Sequence, residues 1–220
     1  MIKGLWWKGL AGVLLLYAII AGFMVKVPMI EVTQESLRNV FYHVGMWFGM
    51  FVLLTLSFVY SLRYLTRFRT EEDIRAVEAV NTGLLFGLLG IVTGMIWARN
   101  TWGAFWVRDP KLDGAAVGIF IYLAYTILRG SIDDPQKKAK VSAVYNILAY
   151  ILWIVFVMIL PRTASSSLHH GQDGPPLMSL EMDSAVRLVF YPAMIGWILL
   201  GIWIMNLRVR IREIKRSIEH

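Results

Sequence analysis

Long apolar runs separated by short polar stretches set the character of this chain. Six of them, over about 5–27, 40–62, 76–98, 114–129, 140–160 and 184–206, carry few charges. Roughly 20 mostly apolar residues suffice for a helix to cross the ~30 Å hydrocarbon core of a bilayer. The runs are too long and too uniformly apolar for barrel strands, and lipid obliges the backbone to satisfy its own hydrogen bonds. The pattern therefore predicts an all-α, polytopic integral membrane bundle of six transmembrane helices. Little sequence remains for a soluble unit, which predicts a single transmembrane domain over 1–220. The fourth run is short at one end, where Arg129 is positioned to snorkel to the interface. The first begins like a secretory signal, with Lys3 and Lys8 ahead of an apolar core. That core is long, and no small-x-small cleavage pattern follows it before Lys26 and Pro28, so a retained helix is expected.

Small residues recur inside the runs at helical spacing. Gly83, Gly87, Gly90 and Gly94 line one face of the third helix, and Gly45 with Gly49 and Gly114 with Gly118 repeat the small-x-x-x-small pattern. Close helix packing is the simple reading, and a smooth wall for a ligand is the other. Between the second and third runs, "TRFRTEEDIRAVE" (66–78) mixes both signs of charge. It reads as the solvated start of the third helix, with Thr70 as a cap and Asp73 three residues on, and with no chemistry of its own.

Composition agrees with a chain dissolved in lipid. Of 220 residues, 57% are hydrophobic and 17% charged, against ~45–50% and ~25% in a soluble domain. The net charge of +7 does not point to nucleic acid, because the basic residues sit between the apolar runs. Of the 22 lysines and arginines, 15 fall on the side carrying both termini and 7 on the other. By the positive-inside rule both termini are cytoplasmic, and the loops joining runs three to four and five to six face outward, toward the periplasm in a bacterium. The absence of cysteine excludes thiol–disulfide exchange, iron–sulfur ligation and thioether attachment of haem to this chain.

What remains for chemistry is concentrated on the outer face. His220 is terminal, and the other three histidines, His43, His169 and His170, all map outward. So does the densest aromatic cluster outside the runs, "NTWGAFWVRDPKL" (100–112). Neutral imidazole is the commonest metal ligand, and two imidazoles from different segments can clamp one iron. If 102–106 is helical, Trp102, Phe105 and Trp106 share one side and form a platform for a flat ring, with Gly103 allowing close approach. Arg99, Arg108 and Lys111 would then meet carboxylates at the ring edge, and Asp109-Pro110 would fix the turn into the fourth helix. An aromatic belt at the bilayer surface is the alternative for the same residues. The outer loops hold no His-Glu-x-x-His and no carboxylate cluster, and no phosphate-binding glycine loop is present. The runs lack charge at mid-depth, against an ion-coupled pump. A site for a flat, anionic, metal-containing molecule is left, and haem fits that description.

The stretch "TGMIWARNTWGAFWVRDPKL" resembles the tryptophan-rich WWD signature of the haem-handling membrane proteins of cytochrome c biogenesis. Trp102, Gly103, Trp106, Asp109 and Leu112 match its form W-G-x-W-W-x-W-D-x-R-L, whereas Phe105 and Arg108 stand where it has tryptophans and Lys111 where it has arginine. The resemblance is greatest to haem protein C of the multi-component cytochrome c maturation system, the CcmC family. That family has six spans, a tryptophan-rich outer loop (here 97–113) between the third and fourth, an outer histidine at the start of the second helix, and another in a Leu-His-x-Gly stretch between the fifth and sixth. "YHVGMW" and "LHHG" match the two histidine stretches, and "MDSAVR" (182–187), leading into the last helix, also resembles the family. The resemblance implies His43 and His169 as axial ligands of haem b carried as cargo, with His170 able to exchange roles with His169. Trp102, Gly103, Phe105, Trp106 and Asp109 would lie against the porphyrin. It also implies a bacterial inner-membrane location and no enzymatic turnover. The implied partners are a membrane-anchored periplasmic haem chaperone, an ATP-binding-cassette (ABC) transporter and small membrane subunits.

Three other readings compete. A membrane cytochrome c synthase, which attaches haem directly, usually has more spans and histidines within the membrane. An electron-carrying b-type cytochrome would set paired histidines deeper on its helices. A permease without haem would use the loop only as a membrane anchor, and mutation of His43 separates it from the rest.

Overall fold

In the computed structural model the described residues are 4–27, 34–164, 167–168 and 183–218. Every element among them is helical. They comprise α1 (Trp6–Met24), a 3-10 turn (Gln34–Asn39), α2 (Val40–Arg67), α3 (Thr70–Trp102), α4 (Pro110–Gly130), α5 (Pro135–Ile154), a π turn (Val155–Ile159), α6 (Leu160–Thr163) and α7 (Ser184–Ile218). Six helices are long and apolar enough to cross a membrane, α5 through α6 counting as one. The six expected spans are all present; the first, Trp6–Met24, is shorter than its apolar run, and the other five are longer than theirs. At 1.5 Å per residue, the 33 residues of α3 and the 35 of α7 reach ~50 Å, beyond the hydrocarbon.

An antiparallel pair, α2 and α3, forms the centre. Its turn is made at Phe68, whose left-handed φ of 51° closes α2 while its amide donates to the Tyr64 carbonyl. From that turn the glycine face of α3 meets α2 in register. A Cβ at Gly83 would meet Leu54, one at Gly87 would meet Met50, one at Gly90 Trp47, and one at Gly94 His43. Each pair is equidistant from the turn, so a single helix register accounts for all four. The face serves helix packing along most of its length, and only its last member touches a candidate ligand. α7 covers α2 with Trp197 seated on Gly45, and α1 runs antiparallel to α7. The Lys8 ammonium lies 5.7 Å from the Trp203 ring centroid, and the Tyr17 hydroxyl donates to the Leu188 carbonyl at 3.2 Å. The start of α1 and the end of α7 therefore lie at one end of the bundle, called here the terminal end; the tryptophan-rich loop lies at the other.

Polar contacts hold α5 to this centre. The Asn146 amide donates to Ser57 and Ser61 of α2 at 2.7 and 2.8 Å, and Ser57 donates to the Ala76 carbonyl. Contacts of this kind contribute ~0.6 kcal/mol each in lipid. Beyond Ile154 the helix widens by one π turn, in which the Leu160 amide reaches back five residues to Val155. Pro161, which has no N–H to give, follows at once. Gly114 and Gly118 let α4 approach this segment, Gly118 against Trp153 and Gly114 against the Phe156 carbonyl.

The terminal end departs from the sequence expectations. Arg129 does not snorkel. Its guanidinium makes a two-pronged pair with Asp73 at 2.8 and 2.6 Å, with both side chains 12% exposed. Thr70 opens α3 without capping it: the residue ahead, Arg69, supplies no side-chain bond. Nor is 66–78 merely solvated, since Glu72 and Glu78 are buried. Glu78 receives Arg208 and Arg212 of α7 at 2.7 Å each and the Asn81 amide at 3.3 Å. A carboxylate at the edge of lipid is costly unless paired, and Asp73 and Glu78 recruit the cations of α4 and α7.

Candidate haem-handling site at the loop end

Asn39 begins the site, its amide donating to the Thr93 carbonyl at 3.4 Å where α2 starts. One turn on, His43 is half-buried, with Nδ1 3.1 Å from the Thr93 hydroxyl. That hydroxyl lies 2.9 and 3.1 Å from the Leu89 and Gly90 carbonyls, to which it can only donate. When its proton goes to either carbonyl the hydroxyl accepts from His43, and the imidazole then carries its proton on Nδ1 and its lone pair on Nε2. The Trp47 ring stands edge-on to the imidazole at 6.3 Å, and Gly94 lies on its other side. The ring orientation is thereby set by Thr93, Gly94 and Trp47 together.

The next turn of α3 carries Trp97, and Trp102 packs edge-on against it with centroids 4.8 Å apart. Here α3 ends, because Gly103 adopts φ 81°. Only glycine takes that conformation readily. Residues 102–106 are thus not a helix, and the helical spacing expected to set Trp102, Phe105 and Trp106 on one side is absent. Gly103 acts as a helix stop in open space. Arg99 donates to its carbonyl and lies 5.9 Å from the Phe105 ring, so its guanidinium closes the loop on itself. Phe105 is 54% exposed and Trp106 37%, with the Trp106 indole N–H donating to Asp113 at 3.2 Å. Arg108 is exposed and Lys111 half-buried.

Asp109, 1% exposed, is the organiser of this end. Oδ1 accepts from the Lys111 amide at 2.9 Å and caps α4, with Pro110 in the first turn. Oδ2 accepts from the Ser167 hydroxyl at 2.8 Å and the Leu168 amide at 2.7 Å. One carboxylate thus joins the tryptophan-rich loop, the start of α4 and the segment that leads into His169. His169 and His170 themselves lie outside the described residues. Beyond them, α7 starts at an Asp183 side chain that accepts from the Ala185 and Val186 amides.

Sequence comparison bears on the same arrangement. The profile of the family described as Heme exporter protein C matches residues 3–220. The chain belongs to that family. A Heme exporter protein C of Paracoccus denitrificans is 25% identical over 185 residues, covering 82% of this chain and 74% of that protein. One from Haemophilus influenzae is 26% identical over 181 residues, covering 79% of this chain and 67% of its own length. A Cytochrome c biogenesis protein CcsA of Pelargonium hortorum is 30% identical over 106 residues, which is 48% of this chain and 33% of that protein. The resemblance drawn from the loop and histidines is borne out at the level of family.

Of the anticipated residues, the structure brings His43, Trp102, Gly103, Phe105, Trp106 and Asp109 to one end of the bundle. Thr93, Asn39 and Asp113 were missed by sequence reasoning. Thr93 lies 50 positions from His43, and only the register of α2 on α3 pairs them.

Proposed function

We propose that this chain is a haem handler of cytochrome c biogenesis: it takes haem b as cargo at the loop end and delivers it to a membrane-anchored periplasmic chaperone, with no turnover of its own. His43 and His169 are the axial ligands in this reading, and Trp102, Phe105 and Trp106 offer apolar surface to the porphyrin. The observation that carries it is the Asp109 carboxylate, which ties the tryptophan-rich loop to the two residues preceding His169. The loop also continues from the helix end against which His43 is held. The His43 tautomer suits ligation through Nε2, since a ligating histidine commonly gives its other N–H to a fixed acceptor. Family membership supports the cargo, and the excess of basic residues at the terminal end supports a periplasmic loop end in a bacterial inner membrane. The ABC transporter and small membrane subunits of the maturation system are its further partners.

The test is the visible absorption spectrum of the detergent-purified protein beside His43→Ala, His169→Ala and His170→Ala. A Soret band that weakens or shifts in the first two variants is expected. Absence of any band after haem is added would return the protein to the permeases, and a band altered only by His170→Ala would move the second ligand by one residue.

Two neighbours of His43 refine the expectation. Thr93→Val removes the acceptor of its N–H, and loss of such an outer partner costs about 10–100-fold in affinity for the metal group. Gly94→Ala puts a Cβ 2.8 Å from His43 Cε1. The ring can swing aside, so thermal stability should change little while haem titration weakens by a comparable factor. Unchanged titration in both variants would remove His43 from the site.

A further inference from the structure

At the terminal end, far from the tryptophan-rich loop, α3, α4, α5 and α7 form an open cavity of about 280 Å³ lined by Asn81, Tyr125, Thr126, Arg129, Lys138 and Arg212, with Val77 and Gly130 completing the wall. We propose that it binds the phosphate headgroup of an anionic phospholipid. Three of the lining residues are cations and none is an acid. Asp73 and Glu78 stand behind the wall and are saturated, Asp73 by Arg129 and Glu78 by Arg208 and Arg212. One carboxylate therefore faces two guanidiniums, and Lys138 adds an ammonium with no ion pair among the described residues. The excess positive charge faces the cavity, and the acids fix the arginines in place at its rim.

The charge and the surroundings select the ligand, and about 280 Å³ gives room for a phosphate headgroup. Ile127 of α4 and Ile211 of α7 are 73% and 54% exposed, so the helices that carry the lining residues Thr126 and Arg212 also present apolar surface to acyl chains at the same level. Basic pockets between membrane helices are a recurrent place for anionic lipid headgroups. The proposal stands apart from the haem reading, since it uses neither the histidines nor the loop.

The full chain, reconstituted in nanodiscs containing phosphatidylglycerol and phosphatidylcholine and then extracted into detergent, would be assayed for retained lipid. Preferential retention of phosphatidylglycerol is expected. Lys138→Gln should lower it by about fivefold, the factor corresponding to ~1 kcal/mol for one basic residue near the surface. Lys137→Gln, at the exposed neighbouring position, should leave it unchanged. Thr126→Phe, which fills the cavity without altering charge, should lower it as well and serves if Lys138→Gln is poorly folded. Equal retention in Lys138→Gln and Lys137→Gln, or no preference over phosphatidylcholine, would overturn the proposal. Displacement of the lipid by inorganic phosphate at equal concentration would make this a site for free phosphate, which also overturns it.

Discussion

Asp109→Ala should release the loop end from its tie while leaving the six-helix bundle assembled. The carboxylate is buried and, among the described residues, accepts from the Lys111 and Leu168 amides and the Ser167 hydroxyl. Hydrogen bonds to a charged group contribute ~1.5–3 kcal/mol each, and an N-cap ~0.5–2 kcal/mol. These contributions are not additive, so a loss on the order of 2–4 kcal/mol is expected, confined to 103–113 and 167–168. Amide exchange at Lys111 and Leu168 should accelerate together, and haem retention should fall more than tenfold. Asp109→Asn distinguishes the two oxygens. Its carbonyl can keep the α4 cap, but its amide then faces the N–H of Leu168, donor against donor. Lys111 should stay protected in that variant while Leu168 does not. If both amides exchange as in the parent and the Soret band is intact, Asp109 has no organising role.

What the sequence made legible follows from the range of each cause. The spans could be read because lipid acts on each stretch separately, and 20 apolar residues answer to it without help from elsewhere. The family signature could be read because its residues are close in sequence. The errors came where a long-range demand overruled a local one. Asp73 suited a capping box by spacing, yet a buried carboxylate needs a full cation more than a helix needs a cap, and Arg129, 56 residues away, meets it. The helical platform at 102–106 assumed a continuous helix across Gly103, whereas a glycine after a long apolar helix is equally a stop, and its φ of 81° made it one. For Asp109, spacing suggested a turn and the family a haem contact; its tie to Ser167 and Leu168 has no trace in local sequence. The glycine face of α3 was legible as a face, but which side chains fill it depends on the register of a partner helix.

That dependence makes Gly114→Ala the most damaging glycine substitution in the bundle. At most glycines on the helix faces an added Cβ would meet a side chain, as Gly94 meets His43, and a side chain can turn away. At Gly114 it would fall on the Phe156 carbonyl oxygen, which belongs to the backbone of the π turn. Backbone moves only if the helix moves. α4 would have to withdraw from the π turn and from Pro161, which also lies against this position, or the turn would have to revert to α geometry and rotate everything after it by one residue. Inserted carbon in a packed interior costs ~1–3 kcal/mol when side chains can adjust, and more when they cannot. Gly114→Ala should therefore lower both yield and the midpoint of thermal unfolding well below those of Gly94→Ala. The π turn exists where Pro161 withholds an N–H, so Pro161→Ala should let the segment close toward an ordinary α-helix and relieve part of the clash. The double variant Gly114→Ala with Pro161→Ala should then unfold at a higher temperature than Gly114→Ala alone. A double variant no more stable than the single one would show that the π turn is held by its packing and not by the missing donor.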